Sequence, residues 1–192
     1  MDVREFYNSE LNEHLSVLNE SREALYGPFE ALVSECVNVI GRGNKLLFFG
    51  NGGSAADAQH IATEFVVRLR KDRRAIPAIA LTTDTSALTA IGNDFGFENL
   101  FSRQVEALCV KGDLAIGIST SGNSENVVRA LESARRIGAG TAALAGGDGG
   151  RIRGLADFTI IAPSKVTARI QEMHTIIGHI LCGAVERELG LV

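Results

Sequence analysis

Five short apolar runs separated by amphipathic stretches constrain this chain more than anything else in it: residues 45–49, 78–81, 114–118, 140–144 and 158–161. Their apolar continuity, with helical spacing between them, is the pattern of a buried parallel sheet covered on both faces. Before the first run, apolar residues recur at helical intervals, at Val3, Phe6, Leu11, Leu15 and Leu18, then from Leu25 through Phe29, Leu32, Val33, Cys36 and Val37 to Ile40. Pro28 fits a turn or a first helical position, and Gly41 and Gly43 end the second helix. A last helix is expected over 166–188, with Ile170, Met173, Ile177, Ile180, Leu181 and Val185 on its apolar side. The expected architecture is one three-layer α/β/α domain, in which residues 1–43 form a helical extension and 44–192 the core.

Composition narrows the function classes. A net charge of −4 over 192 residues argues against sequence-independent nucleic-acid binding, which calls for a basic surface. It leaves room for a small anion, because loop N–H groups and hydroxyls hold phosphate without surface charge. Cys36, Cys109 and Cys182 are odd in number and widely spaced, as in a reducing compartment. No apolar run approaches the roughly 20 residues of a spanning helix. The first residues mix charges without an apolar signal core. A cytoplasmic protein with no membrane or nucleic-acid partner is expected.

In parallel sheets, ligands bind outside the carboxyl ends of the strands, and two strands here end in loops built for anions. The first loop, GNGGS, carries Asn51, Gly52, Gly53 and Ser54 into a helix. Its glycines allow a sharp turn and close approach to a ligand, and Ser54 is either a helix cap or a hydroxyl donor. The second loop, STSGNSEN, offers Ser119, Thr120, Ser121 and Ser124 around Gly122, and Ser124-Glu125-Asn126 reads as a helix start. Hydroxyls, N–H groups and a helix N-terminus together make a phosphate cradle. Neither a G-x-x-x-x-G-K-[ST] nor a G-x-G-x-x-G signature is present, which argues against nucleoside triphosphate hydrolysis and a dinucleotide cofactor.

A third group is acid/base or metal chemistry. His60 and Glu64 lie one turn apart on the helix after GNGGS. On the last helix Gln171 lies about 80° from His179, Glu172 about 20° and His174 about 140°. Gln171 or Glu172 can thus share a side with His179, azimuth favours Glu172, and His174 faces elsewhere. A histidine on an apolar helix is more often a core residue than a ligand, and spacing alone leaves His179 open between the two. Two imidazoles, a carboxylate and a further oxygen would suit zinc or a similar divalent ion.

Together the segments GNGGSAADAQHIATEF (50–65), LTTDTSALTAIGNDFGFENLFSRQVEAL (81–108), ISTSGNSENV (118–127) and TARIQEMHTIIGHIL (167–181) resemble the sugar isomerase (SIS) domain family. Within it they are similar to the bacterial phosphoheptose isomerases, which act on sedoheptulose 7-phosphate. The resemblance spans nearly the whole chain. It implies a flavodoxin-like five-stranded parallel sheet and a homotetramer with active sites at subunit interfaces. It also implies aldose–ketose isomerisation to D-glycero-D-manno-heptose 7-phosphate through an enediol, supplying heptose for lipopolysaccharide, a capsule or another glycoconjugate. Zinc ligands would fall on His60, Glu64, Gln171 and His179, which sets Glu172 aside for a structural ion pair. Substrate contacts would fall on Asn51, Gly52, Gly53, Ser54, Glu64, Asn93, Asp94, Ser119, Thr120, Ser121, Ser124 and Gln171. Glu64 would be the base and His179 the acid or shuttle, although ligation competes with both roles. Some members carry an Asp where this chain has Ala168, so that residue's role does not transfer. The same scaffold also serves replication-initiation regulators that lack the counterparts of Glu64 and His179, and isomerases of other phosphosugars.

Overall fold

A computed structural model describes residues 2–192. In chain order the elements are α1 (Val3–Ala24), α2 (Tyr26–Gly41), β1 (Leu46–Gly50), α3 (Gly53–Val66), β2 (Ala78–Ala80), α4 (Thr85–Phe95), α5 (Ser102–Leu108), β3 (Leu114–Ser119), α6 (Glu125–Ile137), β4 (Gly140–Gly146), β5 (Phe158–Ala162) and α7 (Thr167–Glu188). All five expected strands form, and the strands order β2-β1-β3-β4-β5 with every pairing parallel. This is the flavodoxin-like order. The chain leaves β1 for one edge, then returns to its other side at β3, opening a crevice between the two C-terminal ends.

Alternation along the strands sorts the core into two layers. Leu46, Phe48, Leu114 and Ile116 face α2, α3 and α7, where Leu32, Ile61, Phe65 and Leu181 complete one buried cluster. Leu47, Phe49 and Ala115 face the other way, onto Phe101, Val105, Val127 and Leu131 of α5, α6 and their approach. Two sheet faces buried by helices account for the continuous apolar runs.

The boundaries differ from expectation in ways that matter for the ligand loops. β1 runs on to Gly50, β3 to Ser119 and β4 to Gly146, so their loops begin within the ladder. Pro28 is the third residue of α2, inside the first turn, where its missing N–H is not needed by the helix. Ser54 is not the cap of α3. That position is Gly52, at φ 56° and ψ −119°, and Ser54 sits buried in the first turn. Among the described residues no helix is long and apolar enough to cross a membrane.

Candidate active site

The first cluster occupies the crevice at β1 and β3. Gly52 has positive φ, which turns the chain from β1 into α3. Asn51 is held by a reciprocal amide pair. Its Nδ2 donates to Asn126 Oδ1 at 2.9 Å, and Asn126 Nδ2 donates back to Asn51 Oδ1 at 2.8 Å. Asn126 is buried in the first turn of α6, so the pair clasps the two ligand loops together. Asn51 was expected to meet substrate, but its side chain is engaged in this clasp.

The second loop is equally fixed. Ser119 Oγ and Ser124 Oγ lie 3.0 Å apart, so Ser124 caps α6 by position while its hydroxyl joins the cradle. Asn123 donates through its N–H to Ser121 Oγ (3.2 Å) and through Nδ2 to Ser121 O (2.9 Å). Gly122, at φ 66°, packs against the 146–150 turn, where a Cβ would come within 2.0 Å of Gly149 O. Behind the loop, Thr120 O accepts from the Gly146 N–H (3.1 Å). A cavity of about 320 Å³ opens here, lined by Thr120, Ser121, Gly146, Gly147, Asp148, Lys165 and Ile170. Asp148 and Lys165 were not anticipated, since they reach the cavity only through the sheet topology.

The second cluster lies farther along α3 and α7. His60 Nε2 and His179 Nε2 are 2.7 Å apart, and Glu64 Oε1 is 3.8 Å from His60 Nε2. One ligand atom from each of the three falls within 4.8 Å of the others, so the group could hold a metal ion. Close helix packing makes this meeting possible, since a Cβ on Gly178 would stand 2.5 Å from Ile61 Cγ1. Arg73 fixes the end of α3. It donates to the carbonyls of Glu64 and Phe65 (both 2.8 Å) and pairs with Glu186 of α7 at 2.6 Å. Arg73 and Glu186 are both buried at their side chains. Nothing in the local pattern of the sequence marks that pair.

Other expected residues divide. His174 faces the core, its Nε2 3.0 Å from Ala145 O, and burial lowers its pKa against weaker opposing effects of Ala145 O and Asp57. Glu172 pairs with Arg169 (2.6 Å) and His14 (2.7 Å), tying α7 to α1. Asn93 and Asp94 stand exposed near the end of α4, where Asn93 Nδ2 donates to Asp94 Oδ1 at 2.7 Å. No hydrogen bond links them to either cluster among the described residues. Gln171 belongs to the first cluster, since its amide lies against Gly53, where a Cβ would be 2.2 Å from Nε2. Azimuth put Gln171 and His179 on related sides of α7, but eight residues of rise, about 12 Å, separate them. Within one chain Gln171 therefore meets the GNGGS loop rather than the histidines.

Residues 7–146 match the family described as SIS domain. A phosphoheptose isomerase of Paramagnetospirillum magneticum is 55% identical over 186 residues, covering 97% of each chain. One from Aquifex aeolicus is 56% identical and covers 88% of this chain and 93% of its own. The solved phosphoheptose isomerase of Neisseria gonorrhoeae superposes with a TM-score of 0.92 at 40% identity, covering 97% of this chain and all of that one. The chain belongs to the SIS domain family, in its phosphoheptose isomerase branch.

Proposed function

We propose that this protein is an aldose–ketose isomerase that converts sedoheptulose 7-phosphate to D-glycero-D-manno-heptose 7-phosphate. The observation that carries the reading is the pairing, in one chain, of a phosphate cradle at 119–124 with the His60–Glu64–His179 group. The relatives of this length and identity named phosphoheptose isomerase support it. The cradle holds the phosphate and leaves the C1–C2 end of the sugar for chemistry. Glu64 removes a proton from C1 of the ketose and returns it to C2, passing through an enediol. His179 moves the accompanying proton between the two oxygens.

The donor set fits a divalent ion. Two imidazole nitrogens and one carboxylate oxygen, with His60 exposed, match a three-ligand catalytic zinc site. His60, Glu64 and His179 would hold the zinc, which would supply Lewis-acid polarisation of the carbonyl. Glu64 has one oxygen for ligation and one for proton transfer.

Helix arithmetic supports an oligomer with shared sites. Gly53 and Glu64 are 11 residues apart on α3, about 16 Å of rise, and the seven-carbon phosphate spans roughly 10 Å at about 1.2 Å per bond. An active site using both clusters, with Gln171 as a further ligand, therefore draws them from two copies of the chain. The apolar residues Val3, Phe6, Tyr7, Leu11 and Leu15 are exposed on α1, as an assembly surface would leave them in a single copy. A cytoplasmic homotetramer, with residues 1–43 contributing to assembly, is the form proposed. Asn93 and Asp94 then reach the sugar only across such an interface.

The test is incubation of metal-stripped protein with sedoheptulose 7-phosphate, with and without zinc, following product by NMR. Turnover that depends on zinc is expected. No turnover in either condition overturns the assignment, and turnover without metal removes zinc from it.

A further inference from the structure

The cradle as described binds a strongly charged group almost entirely through neutral donors. A phosphate monoester carries about −1.5 to −2 charges at pH 7. Glu125, in the first turn of α6, adds a carboxylate beside the loop. That charge is met by Arg151 and by Arg129, whose Nε lies 2.9 Å away, and these two side chains hold the Glu125 pKa below its usual range. Both arginines are thereby committed. Among the residues lining the cavity one cation remains, Lys165.

Its backbone is well placed to serve. Ser164 O accepts from the Gly147 N–H at 2.8 Å, and Ser164 Oγ accepts from the Val166 N–H at 3.1 Å. The segment before α7 is thus tied to the floor of the cavity, and the lysine stem rises from that anchor. Lys165 makes no ion pair or hydrogen bond among the described residues. The other charged group in the lining, Asp148, accepts from the Gly150 N–H at 2.9 Å and so helps to shape its own turn. Thr120 and Ser121 line the same cavity, and both belong to the proposed phosphate loop.

We propose that Lys165 is a substrate-binding residue whose ammonium pairs with the phosphate dianion seated in the 119–124 loop. It selects phosphorylated over neutral sugars and takes no part in proton transfer. The proposal rests on the phosphosugar reading of the site, and its test separates the two. Lys165 is exposed, so substitutions there leave the fold intact. Inorganic phosphate is titrated calorimetrically into wild-type protein and the Lys165→Met, Lys165→Arg and Lys165→Glu variants, and KM and kcat for sedoheptulose 7-phosphate are measured alongside. Charge-assisted contact in a half-enclosed cavity predicts phosphate affinity falling roughly five- to tenfold in Lys165→Met and further in Lys165→Glu. Lys165→Arg stays within about twofold of wild type, and the wild-type advantage shrinks as salt rises. KM follows phosphate affinity while kcat holds. Unchanged phosphate affinity in Lys165→Met overturns the proposal, as does a loss in Lys165→Arg equal to that in Lys165→Met. If wild-type protein fails to turn over the sugar, the functional reading falls while the phosphate titration still decides the role of Lys165.

Discussion

The two clusters share helix α3 and are built in opposite ways. At the N-terminal ends of α3 and α6, the ligand loops are locked by their own chain, through the Asn51–Asn126 clasp, the Ser119–Ser124 contact and the tight fit of Gly122 on Gly149. Farther along α3 and α7, His60 is exposed while Glu64 and His179 are half-buried, and His60 finds no partner beyond the other two. The proposed phosphate loops are thus shaped within one chain, whereas the proposed chemical group lies partly open to the surface. A rigid cradle allows binding energy to be spent on orientation. The partly open group is able to meet another copy's cradle. Breaking one cluster should therefore leave the other measurable.

The largest expected effect comes from Glu64→Gln. The substitution keeps shape and removes the proposed base, so C1–C2 exchange with solvent should fall by about 10²- to 10⁴-fold. Deuterium incorporation followed by NMR reports this directly, and phosphate binding at the distant cradle should not move. Exchange retained at wild-type rate would remove Glu64 from the chemistry.

Arg73→Met comes next, and it addresses what holds Glu64 in place. Removing one partner of a buried ion pair leaves the Glu186 charge with only the Leu69 N–H, and the Glu64 and Phe65 carbonyls each lose one donor. The cost should be about 3–5 kcal/mol of stability, read from denaturant midpoints. A loss below about 1 kcal/mol would mean that the pair is hydrated and does not fix the end of α3.

Legibility in the sequence followed the range of the interaction. The strands and both ligand loops are local features, and the apolar runs with the Gly/Ser loops after them indicated these to within two residues. Of the two readings open for Ser54, the cap fails because the turn after Gly50 is set by the positive φ of Gly52, which a side-chain pattern does not encode. Gln171 was legible only in part. Helical periodicity gives the direction of a side chain around the axis and says nothing of height, and height is what seats Gln171 on Gly53. Arg73 and Asn126 bond across 113 and 75 residues of sequence, and Lys165 comes to the cavity through sheet order, so no spacing rule reaches them.

Gly122→Ala attacks the cradle instead. Its φ of 66° disfavours any side chain, and the new Cβ would meet the Gly149 carbonyl. The two penalties together should cost about 2–3 kcal/mol and push the 119–124 loop off the 146–150 turn. Phosphate affinity should drop with stability, while zinc binding by His60, Glu64 and His179, measured with a chromogenic chelator, should persist. Loss of both properties at equal denaturant would show that the two ends unfold as one unit and are not separable.

The smallest effect separates the cradle end from the opposite end of the strands by pH. His174 lies beneath the cradle against Ala145, and burial is the chief reason its pKa falls below 6.5. A lowered pKa in the fold means that its contribution is complete above about 6.5 and is lost as pH falls through the folded value. Asp113 immediately precedes β3, at the N-terminal end of the strands. Burial is its largest single influence and would raise its pKa, but Lys45, the N–H groups of Val110 and Lys45, and Asn44 jointly hold it below 3.8. Its contribution is therefore present above 3.8 and disappears only in stronger acid. Tm should decline in two steps as acid is added, the first from about pH 6.5 downward and the second below about pH 4. In His174→Gln the first step should vanish and the second remain. A first step that survives this substitution would assign it to another group and sever the link between His174 and the cradle end.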